Sequence, residues 1–196
     1  MADTEVQICN MALARIQGEP ISDLETDDSK AAALCRTMYE PARDAILELD
    51  PPWSFAIARQ VLALSTETNL SSKLYIYTLP VDPWCIRPLV LLDPECDYLE
   101  MKGYPFDREG GFLYTDMPNA ALKYVSRITD TRKFSPLFTD ALVWRLAAEL
   151  LKPVEGTTSI DLWAMYRDTL LLAEGADAQG SREPPLPPTS WVKSRF

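Results

Sequence analysis

In "TEVQICNMALARIQGEP" the apolar residues Val6, Cys9, Leu13 and Ile16 recur at three- and four-residue intervals, which predicts a helix with one buried face. Thr4 or Asp3 is placed to cap its start, and Gly18 with Pro20 to end it. A longer stripe follows in "DDSKAAALCRTMYEPARDAILELD". There Ala31, Leu34, Cys35, Met38, Ala42, Ile46 and Leu49 share a face behind a cap at Asp28 or Ser29. Pro41 lies inside this stripe, and because its nitrogen carries no hydrogen it should kink the helix unless the helix breaks there. "PPWSFAIARQVLALS" predicts a shorter third helix, with Pro51 and Pro52 leading in and Trp53 and Phe55 at its root.

After Ser65 the pattern changes to short aromatic and aliphatic runs, several of them alternating: "KLYIYTLP", "CIRPLVLLD", "DYLEMKG", "GFLYT" and "NAALKYVSRI". Pro-Val-Asp-Pro, Asp-Pro-Glu, Arg-Glu-Gly-Gly and Asp-Met-Pro-Asn separate them, all of them turn chemistry. A small, mostly antiparallel sheet is expected. "DREGGFLYT" reads as the second half of a hairpin, with Gly110 and Gly111 supplying positive φ.

Helical spacing returns at Ser135, the expected cap of "SPLFTDALVWRLAAELLKP", with Pro136 in the first helical position. This segment is apolar around most of its circumference, with Arg145, Glu149 and Lys152 on a narrow polar edge, as suits the middle of a bundle. "TTSIDLWAMYRDTLLLAEGADAQGS" follows, with Ile160, Trp163, Leu170 and Leu171 expected among its packing residues. The predicted class is α+β: a helical bundle interrupted by a small, mostly antiparallel β insertion, with an extended C-terminal tail. Residues 1–65 and 134–180 form the two parts of the bundle, residues 66–133 the insertion, and residues 181–196 the tail.

Composition narrows what such a chain does. The sequence contains no histidine, which removes the usual general base near neutral pH, the commonest metal ligand and any Ser-His-Asp arrangement. Four cysteines, Cys9, Cys35, Cys85 and Cys96, include no C-x-x-C pair and read as buried thiols acting as small apolar groups. No apolar run approaches the ~20 residues that span a bilayer. "MADTEVQICN" carries acids where a signal peptide would be basic, so the expected site of synthesis and assembly is a cytoplasm. The formal net charge of −10 opposes binding to a phosphate backbone, yet an acidic wall would suit a conduit through which DNA slides without sticking.

Neither G-x-x-x-x-G-K-[ST] nor G-x-G-x-x-G occurs. "DDS" at 27–29 and "DPEC" at 93–96 read as a helix cap and a turn rather than as metal ligands. Trp53, Trp144 and Trp163 are expected in the core, and Trp84 fits either core or contact surface. Trp191 differs, because it lies in "REPPLPPTSWVKSRF", which has no repeating apolar face to bury it. Proline holds such a segment extended and lowers the entropy lost on docking, and Trp and Arg dominate interface hot spots. The candidate docking residues are Pro184, Pro185, Pro187, Pro188, Trp191, Lys193, Arg195 and Phe196. No catalytic residue, metal ligand or cofactor is expected.

Four stretches in order resemble the phage head-to-tail adaptor proteins, within them the tail tubular protein A group of short-tailed phages. They are "ALARIQGEPISDLE" (12–25), "PWSFAIARQVLAL" (52–64), "YTLPVDPWCIRPL" (77–89) and "SWVKSR" (190–195). The chain departs from that pattern between Asp82 and Arg87, where Pro83 and Trp84 make about two extra residues and shift the expected strand register. Pro41 inside the second helix is a further departure. The resemblance implies a structural virion protein, not an enzyme, at the phage neck. About twelve copies would close a ring beneath the portal protein, extend the DNA channel and receive the next tail component, a nozzle or tube protein. In that family the C-terminal segment grips the portal, which would make Trp191, Lys193 and Arg195 anchors. The alternatives are another tail-completion ring (a terminator or head-closure protein), a host regulatory protein-binding module, and a small enzyme with paired carboxylates.

Overall fold

A computed structural model describes residues 4–94 and 103–180. Among the described residues the chain folds as an α+β protein with four α-helices and two antiparallel sheets. Helix α1 (Glu5–Arg15) begins in a capping box: Thr4 Oγ1 accepts from the Gln7 N–H, and Gln7 Oε1 accepts from the Thr4 N–H. At its end the left-handed residue is Gln17, at φ 56°, while the Gly18 N–H reaches back to the Leu13 carbonyl at 2.9 Å. A Cβ at Gly18 would lie 3.1 Å from Leu13 Cδ2, so the Leu13 side chain would have to shift slightly to admit one.

Helix α2 (Lys30–Leu47) is capped by Ser29 and runs through Pro41 as one α-helix. Pro41 lies on the solvent side, where water can satisfy the carbonyl that loses its N–H partner. Ala32, Cys35, Tyr39, Ala42, Ile46 and Leu47 are buried, so the stripe sits slightly round from the expected one.

The expected third helix is not there. Residues Ser54–Ala56 form a single 3-10 turn, and the chain then extends as β1 (Ile57–Val61) and β2 (Ala63–Leu64). Ala, Leu, Arg and Gln favour helix, but the tertiary context overrides that weak preference. Ala58, Gln60 and Leu62 alternate toward the second core, where Gln60 Oε1 accepts from the Tyr124 hydroxyl at 3.2 Å. The β region therefore starts at Ile57 rather than after Ser65.

The remaining strands are β3 (Tyr75–Thr78), β4 (Cys85–Leu92), β5 (Asp107–Glu109), β6 (Phe112–Thr115) and β7 (Ala121–Ser126). One sheet has the order β1-β7-β4 and the other β2-β3-β6-β5. The β5–β6 hairpin turns at Gly110 and Gly111, of which only Gly110 has positive φ, at 56°. Pro83 and Trp84 form a tight turn, bridged Val81 to Trp84, and β4 absorbs register shifts on either side of Arg87 and Pro88. Pro88 is tolerated because β4 is an edge strand. The strand expected over 97–103 falls almost wholly outside the described residues.

Ser135 caps α3 (Pro136–Leu150), which packs against α1, α2 and the last helix, α4 (Leu162–Gly180). Along α4, Leu162, Tyr166, Thr169 and Ala173 are buried. Ile160, Trp163 and Leu171, expected to pack, are exposed instead, because α4 is an outer helix with only its α3-facing stripe covered. Among the described residues no helix is long and apolar enough to cross a membrane.

Two cores result, with the β1-β7-β4 sheet between them. Val125, Ala56, Ile86 and Leu89 join the helices, while Leu122, Tyr124, Cys85 and Leu91 join the second sheet. Where β1 leaves the helices, Phe138 packs edge to face with both Trp53 and Phe55, each with ring centroids 5.1 Å away. The Trp53 indole N–H donates to the Ile46 carbonyl at 2.8 Å, so the ring locks the end of α2 to α3. Trp53→Ala should cost about 3–5 kcal/mol in urea unfolding, the range for deleting a buried aromatic, whereas the exposed Trp163→Ala should cost far less.

Candidate functional site

The predicted docking residues Pro184, Pro185, Pro187, Pro188, Trp191, Lys193, Arg195 and Phe196 lie outside the described residues. The described chain does fix where that segment departs. Near the end of α4 the Asp177 carboxylate accepts from the Ser54 N–H at 2.8 Å and from the Ser54 hydroxyl at 2.6 Å. The last turns of α4 are thereby pinned to the start of β1. From there the corner continues across the sheet. The Ser126 hydroxyl donates to the Ala56 carbonyl, Ser126 pairs with Cys85, and the Arg127 N–H donates to the Trp84 carbonyl at 2.8 Å.

Trp84 lies at the surface rather than in the core, being 49% exposed. The Arg127 guanidinium stacks 5.6 Å from its ring centroid and pairs with Asp44 at 2.7 Å. Asp44 also holds Arg43, whose Nε donates to Asp44 Oδ1 at 2.9 Å. Arg43 is fully buried, yet its two terminal nitrogens make no aligned hydrogen bond among the described residues. One of them lies 2.9 Å from the same Asp44 oxygen as an ion-pair contact, and Glu40 approaches to 3.6 Å. One carboxylate thus serves two arginines, one from α2 and one at the end of β7. Sequence reading passed over Arg43. The signal was its position, four residues after Tyr39 and three before Ile46, a charge at apolar spacing.

Beside Trp84 lies a groove of about 200 Å³, lined by Leu79, Val81, Trp84, Arg108, Gly110 and Phe112 among others. Burial pushes the Cys85 thiol at its base up to about 11, with the Arg108 guanidinium opposing. Two other depressions carry less chemistry. One of about 350 Å³ adjoins Tyr104, Asp116 and Met117, where Lys73 already pairs with Asp116. The other, of about 380 Å³, adjoins Lys30 and Glu155, which pair with each other.

The remaining sequence candidates resolve into local structure. Asp27 accepts from Ser22 and from the Ser29 N–H, which holds its carboxyl far below the usual range, and Ser29 caps α2. Cys9, Cys35 and Cys85 are buried free thiols, while Cys96 lies outside the described residues. Trp53 and Trp144 are buried as expected, and Trp163 is not. Burial raises the Glu5 carboxyl, with Arg43 opposing and Glu40 adding to the shift, and neither acid lines the grooves above. Among the described residues no group of three or more Cys, Asp or Glu could hold a metal ion.

Asp44→Ala should destabilise the chain by about 3–5 kcal/mol in urea, the cost of leaving a buried charge without its partner. Arg127→Ala should cost much less, because Asp44 keeps Arg43. At mildly alkaline pH iodoacetamide should leave Cys85 largely unmodified in the native chain and alkylate it after unfolding, a contrast read by peptide mass spectrometry. Compared with models of known protein families and with curated proteins, the chain matches none.

Proposed function

We propose that this chain is a non-enzymatic head-to-tail adaptor of a short-tailed phage, assembled in the host cytoplasm and incorporated in the virion neck. It is a helical bundle interrupted by a β insertion and followed by an extended docking tail. About twelve copies close a ring beneath the portal protein through heterologous contacts between bundle sides. The ring extends the DNA channel and receives a nozzle or tube protein below. DNA passes through without specific binding, as the net charge of −10 favours.

The observation that carries this reading is the order of four motifs along one chain, within the helix–strand–helix layout that the motifs imply. The matching residues also have definite physical work. In the first motif Ile21 is clamped, its N–H and carbonyl both bonded to the Asn10 side chain. In the second, Trp53 fills the corner of the helical core. In the third, Arg87 donates to the Leu49 carbonyl and to Asp50, each at 3.1 Å, tying β4 to the end of α2. Self-association gains support from the outer face of α4, where Trp163, Leu171 and Leu172 stand 46–67% exposed.

Mixing with the portal protein of the same phage tests the reading, with native mass spectrometry of the full chain and of a chain ending at Gly180. The full chain should add about a dozen copies to the portal ring and the shortened chain few or none. Equal binding by both would remove the tail from the grip. Binding by neither would overturn the adaptor reading.

A further inference from the structure

The groove beside Trp84 and the end of α4, from which the proline-bearing segment departs, belong to the same corner of the molecule. We propose that Pro184, Pro185, Pro187 and Pro188 dock in the Trp84 groove of their own chain, so that the free subunit holds its tail against its body. Because it concerns the subunit alone, the inference stands apart from the portal reading.

Distance permits the contact. Asp177 sits on Ser54, and Trp84 lies across β7 from the start of β1, two strand spacings or about 10 Å away. Gly180 follows Asp177 by three residues. At ~3.1 Å per residue of extended polyproline conformation, Pro184 lies about 12 Å and Pro188 about 25 Å of chain beyond Gly180. That span reaches round the sheet end to Trp84 without unwinding α4.

The chemistry matches as well. Proline-rich segments bind shallow grooves walled by aromatic rings, because their backbone is already extended and loses little entropy. Trp84 supplies such a ring, held in place from beneath by Arg127. Val81, 69% exposed, and Phe112 supply apolar floor, and Gly110 and Gly111 leave room for close approach, with nothing within 4 Å of a Cβ at either. Charge completes the match. The groove's rim carries Arg108, whose terminal nitrogen Nη1 donates to the Ile86 carbonyl and which, among the described residues, forms no ion pair. Glu183, the one acid in residues 181–196, immediately precedes the prolines. Arg108, between Asp107 and Glu109 on the exposed β5, gives the groove one cation for the Glu183 carboxylate to meet. The docked prolines leave Trp191, Lys193 and Arg195 free for a second partner, which must compete with the parked state to draw the tail out.

Hydroxyl-radical labelling of the full chain, read at Trp84 by peptide mass spectrometry, tests this without any partner. Replacing the four prolines by serine should raise the Trp84 labelling rate several-fold. Glu183→Arg should raise it too, and adding Arg108→Glu to that variant should restore protection. Protection should also persist on serial dilution. Equal Trp84 labelling in the full chain and the proline variant would overturn the proposal. So would protection that fades with dilution, which would place the prolines of a second copy in the groove.

Discussion

The structure depends on β7 having no free face and no free edge. Its edges are paired with β1 on one side and β4 on the other. Leu122 and Tyr124 are committed to the second sheet, and Val125 to the helices. A strand buried on both faces cannot slip by one residue, since a slip would exchange every contact of both cores at once. Register is thereby fixed for β1 and β4 as well. α3, which begins soon after β7, is delivered into the centre of the helical layer, where it touches each of the other three helices.

Around that strand the charged residues act as ties between layers. Asp44 on α2 meets Arg127 just beyond β7, while Arg87 on β4 meets the end of α2. Each joins a helix to the sheet at the rim, where one partner keeps some contact with water and the desolvation penalty stays moderate. Arg43 is the exception, fully buried, and its carboxylate is the one shared with Arg127. Removing a residue from this cluster would loosen both the helix and the loop that displays Trp84. The same corner receives the end of α4 through Asp177 and Ser54, so the segment after Gly180 departs from a rigid base. For a tail that docks as proposed, such a base matters, since little of the binding free energy is then lost in ordering the point of attachment.

What the sequence determined by itself was whatever depends on near neighbours. Thr4, Ser29 and Ser135 cap the helices, each among the residues expected there, because a cap needs only the three or four residues that follow it. The Glu109–Phe112 hairpin and the helical character of residues 136–150 were legible for the same reason. The prolines, Trp191 and basic residues of segment 181–196 are read from the sequence alone, and the docking they suggest belongs to the proposal. The segment's point of departure is not legible there, because that rests on Asp177 meeting a serine 123 residues earlier.

Tertiary structure decided the rest. Residues 57–64 carry helix-favouring side chains, yet they extend as two strands because β1 pairs with β7, where Gln60 meets Tyr124, 64 residues away, and β2 pairs with β3. Trp163 looked like core by type, but α4 has a neighbour on one side only, so the stripe facing α3 takes all the burial. Arg43 drew no expectation from the sequence, and it is buried where α2 packs against α3 and α1. In each case the local preference was weak, a few tenths of a kcal/mol per residue. The competing term was the pairing or burial of groups distant in sequence, which is larger and which no short window of sequence contains.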